Sequence, residues 1–183
     1  MALEATFRQL SVSLQQLHDA LNAVHVTVGD QPSEGGTAFV DGLENGVLDM
    51  LGTLHDASRA ASQARRSVVP PPNLDQARRS LTTCQERFHR IEQQFASELV
   101  SYERLAALAR LGNERRAWLP WANIVKQGIE ECREPLDQTS KSLAACWEEL
   151  AERLGTMNLS VQTIGQQIRM PAKAKTLEPE GVT

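Results

Sequence analysis

The stretch that decides the fold is residues 3–28, LEATFRQLSVSLQQLHDALNAVHVTV. Its apolar residues are Leu3, Phe7, Leu10, Leu14, Leu17, Leu21, Val24 and Val28, and the steps between them alternate four and three without a miss. On an α-helix that spacing puts all eight side chains on one face, in the a and d positions of a heptad repeat. Most of the other positions are polar. A strand would need alternation with a period of two, which is absent.

The pattern recurs three times. The second segment carries Val40, Leu43, Val47, Met50, Leu54, Ala57, Ala61 and Ala64. Its later half narrows to alanine, so a neighbour can approach closely there. The third carries Leu74, Ala77, Leu81, Cys84, Phe88, Ile91 and Phe95, then Glu98 at the next d position, then Tyr102, Leu105 and Ala109. The fourth carries Trp118, Ala122, Val125, Ile129, Cys132, Leu136, Thr139, Leu143, Cys146 and Leu150, with a weaker continuation through Met157, Val161, Ile164 and Ile168. Breaks fall at residues 29–36, at the Pro70-Pro71-Pro72 loop, and near Gly112 and Pro120. Helices are expected over about 2–28, 37–66, 73–112 and 118–169, with Thr37 and Asn73 as N-caps and Pro120 in a first turn. Pro135 lacks an N–H and crowds the carbonyl one turn back, so a kink or local break is expected near Cys132.

Four amphipathic helices joined by short loops predict an all-α, up-down-up-down four-helix bundle with coiled-coil-like heptad packing. The third and fourth helices are longer than the first two, which leaves part of their stripe for self-association or a partner. Residues 1–170 are expected to form a single domain and residues 171–183 a flexible C-terminal tail. A reversal between the third and fourth helices would place Cys84 and Cys146 in one core layer.

The chain has 183 residues, of which 41% are hydrophobic and only 4% aromatic, so aliphatic side chains must build the core. A net charge of −4 argues against a nucleic-acid binder, which would carry a basic excess. Residues 1–7 show no basic start followed by an apolar run, and no stretch is long and apolar enough to span a bilayer, so a cytoplasmic location is expected. Cys84, Cys132 and Cys146 lack the spacing of a zinc site and read as reduced, buried residues.

Catalytic constellations are missing from the sequence. His18, His25, His55 and His89 do not share a core-facing layer, and only Glu86–His89 has the Glu-x-x-His spacing of a di-iron bundle. No catalytic, cofactor-binding or metal-binding residue is expected. Three features stand out instead. Arg110, Arg115, Arg116, Trp118 and Trp121 cluster at the expected third turn, as a partner-binding surface or as the cap of the core. Arg59, Arg65, Arg66, Arg78 and Arg79 flank the proline loop, as a solvated basic end or as a docking surface for an acidic partner. Opposing them is an acidic run: Glu130, Glu131, Glu134, Glu148, Glu149 and Glu152. Glu98 is a boundary residue or a buried polar group that sets register. The expected function is a non-enzymatic helical interaction module of bacterial type: an adaptor, scaffold or assembly subunit. The alternatives are a ligand- or metal-binding bundle, and a secretion-apparatus component or chaperone.

Overall fold

The computed structural model describes the backbone of residues 2–31, 38–111 and 118–169, and the side chains of 3–31, 40–104, 107 and 118–157. Every regular element among them is helical, and none is a strand. The helices are α1 (Ala2–Gly29), α2 (Ala38–Ser67), α3 (Leu74–Leu111), α4 (Leu119–Glu131) and α5 (Arg133–Arg169). The expected fourth helix is therefore two helices, separated at Cys132. Pro135 has no N–H for the carbonyl of Glu131, one turn earlier, and the ladder tightens: Cys132 N donates to Ile129 O at 3.1 Å. The Cys132 thiol donates to Gly128 O at 3.3 Å. Pro120 sits in the first turn of α4, where a missing N–H costs nothing. Asn73 caps α3, accepting from Gln76 N at 3.0 Å through Oδ1. Thr37 lies outside the described residues.

The chain divides into two compact units, Met1–Leu150 and Ala151–Thr183. The second holds the end of α5. Within it Thr156 donates to Glu152 O at 2.9 Å, and Met157 is 53% exposed. Met157 was expected to continue the apolar stripe; the structure leaves it in solvent. Val161, Ile164, Ile168 and the tail lie outside the described side chains.

In the first unit, α1 packs against α2 and α4, and α3 packs against α2 and α4. All eight stripe residues of α1, and all eight of α2, are buried. Each large aliphatic side chain so placed contributes about 1.5–3 kcal/mol of transfer free energy. Ala57, Ala60, Ala61 and Ala64 line the end of α2, with Ala77 buried on α3. Specific contacts fix which residues meet. Ser13 Oγ and Ser142 Oγ share a buried hydrogen bond of 2.9 Å. Gly128 lies so near Val24 that an added Cβ would stand 3.2 Å from its methyl group. Trp121 Nε1 donates to Thr27 O at 2.8 Å. His25 Nε2 lies 3.7 Å from Glu44 Oε1. Gln94 Nε2 donates to Asp49 Oδ2.

Candidate functional site

The cysteines behave as core residues. Cys84, Cys132 and Cys146 are fully buried and unpaired by disulfides. Burial pushes each thiol up to about 12. Behind burial, the charge of an ionised Cys146 would also oppose ionising Cys84. A thiol held at about 12 is almost entirely protonated at neutral pH and so a poor nucleophile. The histidines His55 and His89 are exposed, with His18 and His25 half-buried. No group of three His, Cys, Asp or Glu side chains is arranged around a common point among the described residues.

The two tryptophans at the start of α4 separate in role. Trp121, expected as a partner-binding residue, is only 7% exposed, and its indole N–H is used on Thr27 O. It closes the end of the core rather than offering itself to a partner. A buried indole needs a partner for its N–H, and the last turn of α1 supplies it. Trp118 is half-buried and meets Trp121 edge to face, with ring centroids 5.5 Å apart. The side chains of Arg110, Arg115 and Arg116 lie outside the described residues.

The basic end is exposed throughout: Arg59, Arg65, Arg66, Arg78 and Arg79 all face solvent. Arg59 lies 3.4 Å from His55 Nε2, Arg78 3.7 Å from Asp75 Oδ1, and Arg79 Nε donates to Asp75 O at 3.4 Å. Arg65 and Arg66 end α2, where the helix dipole favours cations. A shallow depression along α2 is lined by His55, Ser58, Arg59, Ser62, Gln63 and Arg66. Within residues 53–83 the five arginines face only two acidic residues, Asp56 and Asp75. The acidic run is partly engaged by neighbours: Glu130 meets Lys126 at 3.8 Å, and Glu131 accepts from Gln127 at 3.0 Å.

Glu98 is half-buried on α3, between the two outcomes expected for it. Its carboxyl is held above the usual carboxylate range by burial. The sequence signal of a charged residue on the stripe was real. What it could not show is the partner position: Glu98 rests on Gly46 of α2, where any Cβ would overlap its carboxylate oxygens. Tyr102, one turn further on, is 1% exposed and its hydroxyl has no hydrogen-bond partner in the protein. Burial, then the charges of Glu98 and Cys132, push that phenol up. Gln94, one turn earlier, has a buried Oε1 that is likewise unpaired.

A second concavity, of about 200 Å³, lies between α3 and α5, floored by Phe88, Leu143, Ala144 and Trp147 and rimmed by Gln85, His89, Glu92 and Ser140. Trp147 Nε1 is buried without a partner. No helix among the described residues is long and apolar enough to cross a membrane. The chain matches no known protein family, no curated protein sequence and no solved structure.

Proposed function

We propose that this chain is a non-enzymatic helical interaction module, an adaptor, scaffold or assembly subunit of bacterial type working in the cytoplasm. Its architecture in this reading is an up-down-up-down four-helix bundle with heptad packing. The cross-helix contacts support that arrangement. Moving forward along α1 through Ser13, Val24 and Thr27, the partners move backward through Ser142, Gly128 and Trp121. Along α2, Gly46 and then Asp49 meet Glu98 and then Gln94 of α3. Opposed chain directions on both pairs are those of a bundle with short loops.

The observation that carries the functional reading is the exposed basic end, Arg59, Arg65, Arg66, Arg78 and Arg79, on a chain of net charge −4. Charge gathered at one end steers encounter with an acidic protein surface, either a partner's or the Glu134 and Glu148 region of a second copy. The protonated thiols and the scattered histidines speak against nucleophilic or metal chemistry in the core.

The test compares wild type with R65E/R66E. Light scattering during size-exclusion chromatography reads self-association at low and at high salt. Affinity capture from extracts of the source cells, quantified by mass spectrometry, reads partners. The expected result is an assembly or a set of captured proteins that the double substitution removes and that salt weakens, since exposed pairs are screened over about 8 Å at 0.15 M. A strict monomer whose captured proteins are the same with and without R65E/R66E overturns the reading.

A further inference from the structure

One side of α2 presents a group of donors with no carboxylate among them. The depression lined by His55, Ser58, Arg59, Ser62, Gln63 and Arg66 opens to solvent and holds about 540 Å³. Within it Arg59, Ser62, Gln63 and Arg66 are three or four residues apart along every edge, so they stand at the corners of a diamond about 5–6 Å on a side. All four are exposed. Each ends in a group that donates hydrogen bonds: two guanidinium forks, one hydroxyl and one amide. Arg59 and Arg66 occupy the two far corners, about 10.5 Å apart along the helix, and their long side chains can close on a group held between them.

The charge balance at this place is one-sided. Asp56 stands three residues before Arg59, but it does not line the depression. Arg59 instead brings its guanidinium to 3.4 Å from His55 Nε2, within the same lining. Among the described residues neither Arg59 nor Arg66 is ion-paired with a carboxylate. The ligand that answers these donors is an anion. A carboxylate has two oxygens in one plane and is satisfied by one guanidinium fork. A phosphomonoester carries a charge of about −1.5 to −2 at neutral pH and three acceptor oxygens, so both forks, the Ser62 hydroxyl and the Gln63 amide have something to meet. The depression is longer than such a group. It follows α2 over residues 55–66, about 16 Å of helix, which is the length of about five residues of extended chain. That length fits a peptide that carries the phosphoryl group, with His55 and Ser58 beside its main chain.

We propose that Arg59, Ser62, Gln63 and Arg66 on α2 form a binding site for a phosphorylated side chain of a protein partner. Arg59 and Arg66 clamp the phosphoryl oxygens from opposite corners, and Ser62 and Gln63 donate to them from below. The proposal rests on the reading of the basic end as a docking surface and names the group that docks there.

The probes are a five-residue glycine peptide with phosphoserine at its centre, the same peptide with serine, a glycine peptide carrying two aspartates, and inorganic phosphate, all at equal ionic strength. Nitrogen-15 labelling of arginine in the full-length protein gives side-chain Nε–H signals by NMR, and R59Q and R66Q identify those of Arg59 and Arg66. The expected result is a saturable shift of these two signals with the phosphopeptide and none with the serine peptide. The aspartate peptide and inorganic phosphate bind more weakly than the phosphopeptide. R59Q and R66Q each weaken phosphopeptide binding about fivefold, the upper end for an exposed charge pair, and glutamine keeps the helix intact. R78Q, outside the depression, leaves binding unchanged. Absence of a saturable shift, equal binding of the aspartate peptide, or an equal loss in R78Q overturns the proposal. Equal binding of inorganic phosphate overturns its assignment to a protein side chain. If the phosphopeptide fails to bind while R65E/R66E still removes an assembly or captured proteins, this proposal falls and the docking reading stands.

Discussion

Ser13 and Ser142 hold two distant parts of the chain together through a single hydrogen bond, and a double-mutant cycle on them tests the register of α1 against α5. Ser13 is fully buried and Ser142 is 9% exposed, and their hydroxyl oxygens are 2.9 Å apart. Ser13→Ala removes one partner and strands the other hydroxyl in the core. An unpaired buried hydroxyl costs about 1–3 kcal/mol. Ser142 can recover part of this by bonding the carbonyl one turn back in its own helix, and alanine gains about 0.5 kcal/mol in helix propensity. The net expectation is a loss of about 1–2 kcal/mol, with Ser142→Ala of the same order. The double variant strands nothing, so it should cost no more than about 1 kcal/mol. The coupling energy is then about 1–3 kcal/mol, within the range found for residues in contact. Urea denaturation followed by far-ultraviolet circular dichroism measures all four corners. The urea dependence should stay constant, since the surface exposed on unfolding hardly changes. In thermal unfolding each single variant should lose roughly 2–8 °C, at about 2–4 °C per kcal/mol for a chain of this size. Strict additivity of the two substitutions would refute the contact.

Three further outcomes follow from the same structure. Burial raises the Glu98 carboxyl; a raised group lends stability below its unfolded value, about 4.3 for glutamate, and loses it as pH climbs through the folded value. Wild type should therefore lose stability relative to Glu98→Gln as pH rises from about 4 to neutrality, and parallel pH–stability curves would contradict this. With all three thiols pushed up to about 12, a disulfide reagent at mild alkaline pH should leave the native protein unlabelled and label it fully in denaturant; rapid native labelling would be inconsistent with buried, protonated thiols. Trp121→Phe removes the donor to Thr27 O and should cost about 1–3 kcal/mol in chemical denaturation, whereas unchanged stability would return Trp121 to the candidate contact surface.

Periodicity made the helices and their buried faces legible. An unbroken four-three spacing leaves a helix one way to hide its leucines, so Leu10, Leu14, Leu17 and Leu21 were readable as core before any neighbour was known. Pro135 announced its break because the missing N–H is a covalent fact. The basic end could be read because Arg59, Arg65, Arg66, Arg78 and Arg79 flank one short loop, which sequence alone brings together. Trp121 could not be sorted: the same ring serves as a contact residue or as a plug, and only the proximity of Thr27 O, far away in sequence, decides. Met157 shows the converse, because an apolar residue in phase is buried only if another helix arrives to cover it. The seam between α2 and α3 was half visible. Glu98 stood out as a charge on an apolar stripe, but spacing within α3 carries no information about α2. Gly46 beneath the carboxylate and the unpaired Gln94 and Tyr102 oxygens are products of helix meeting helix. The chain by itself thus set which faces must be hidden, through local hydrogen bonding and side-chain period. Tertiary packing alone set which polar groups became stranded beneath them, because desolvation depends on the neighbour and not on the sequence position.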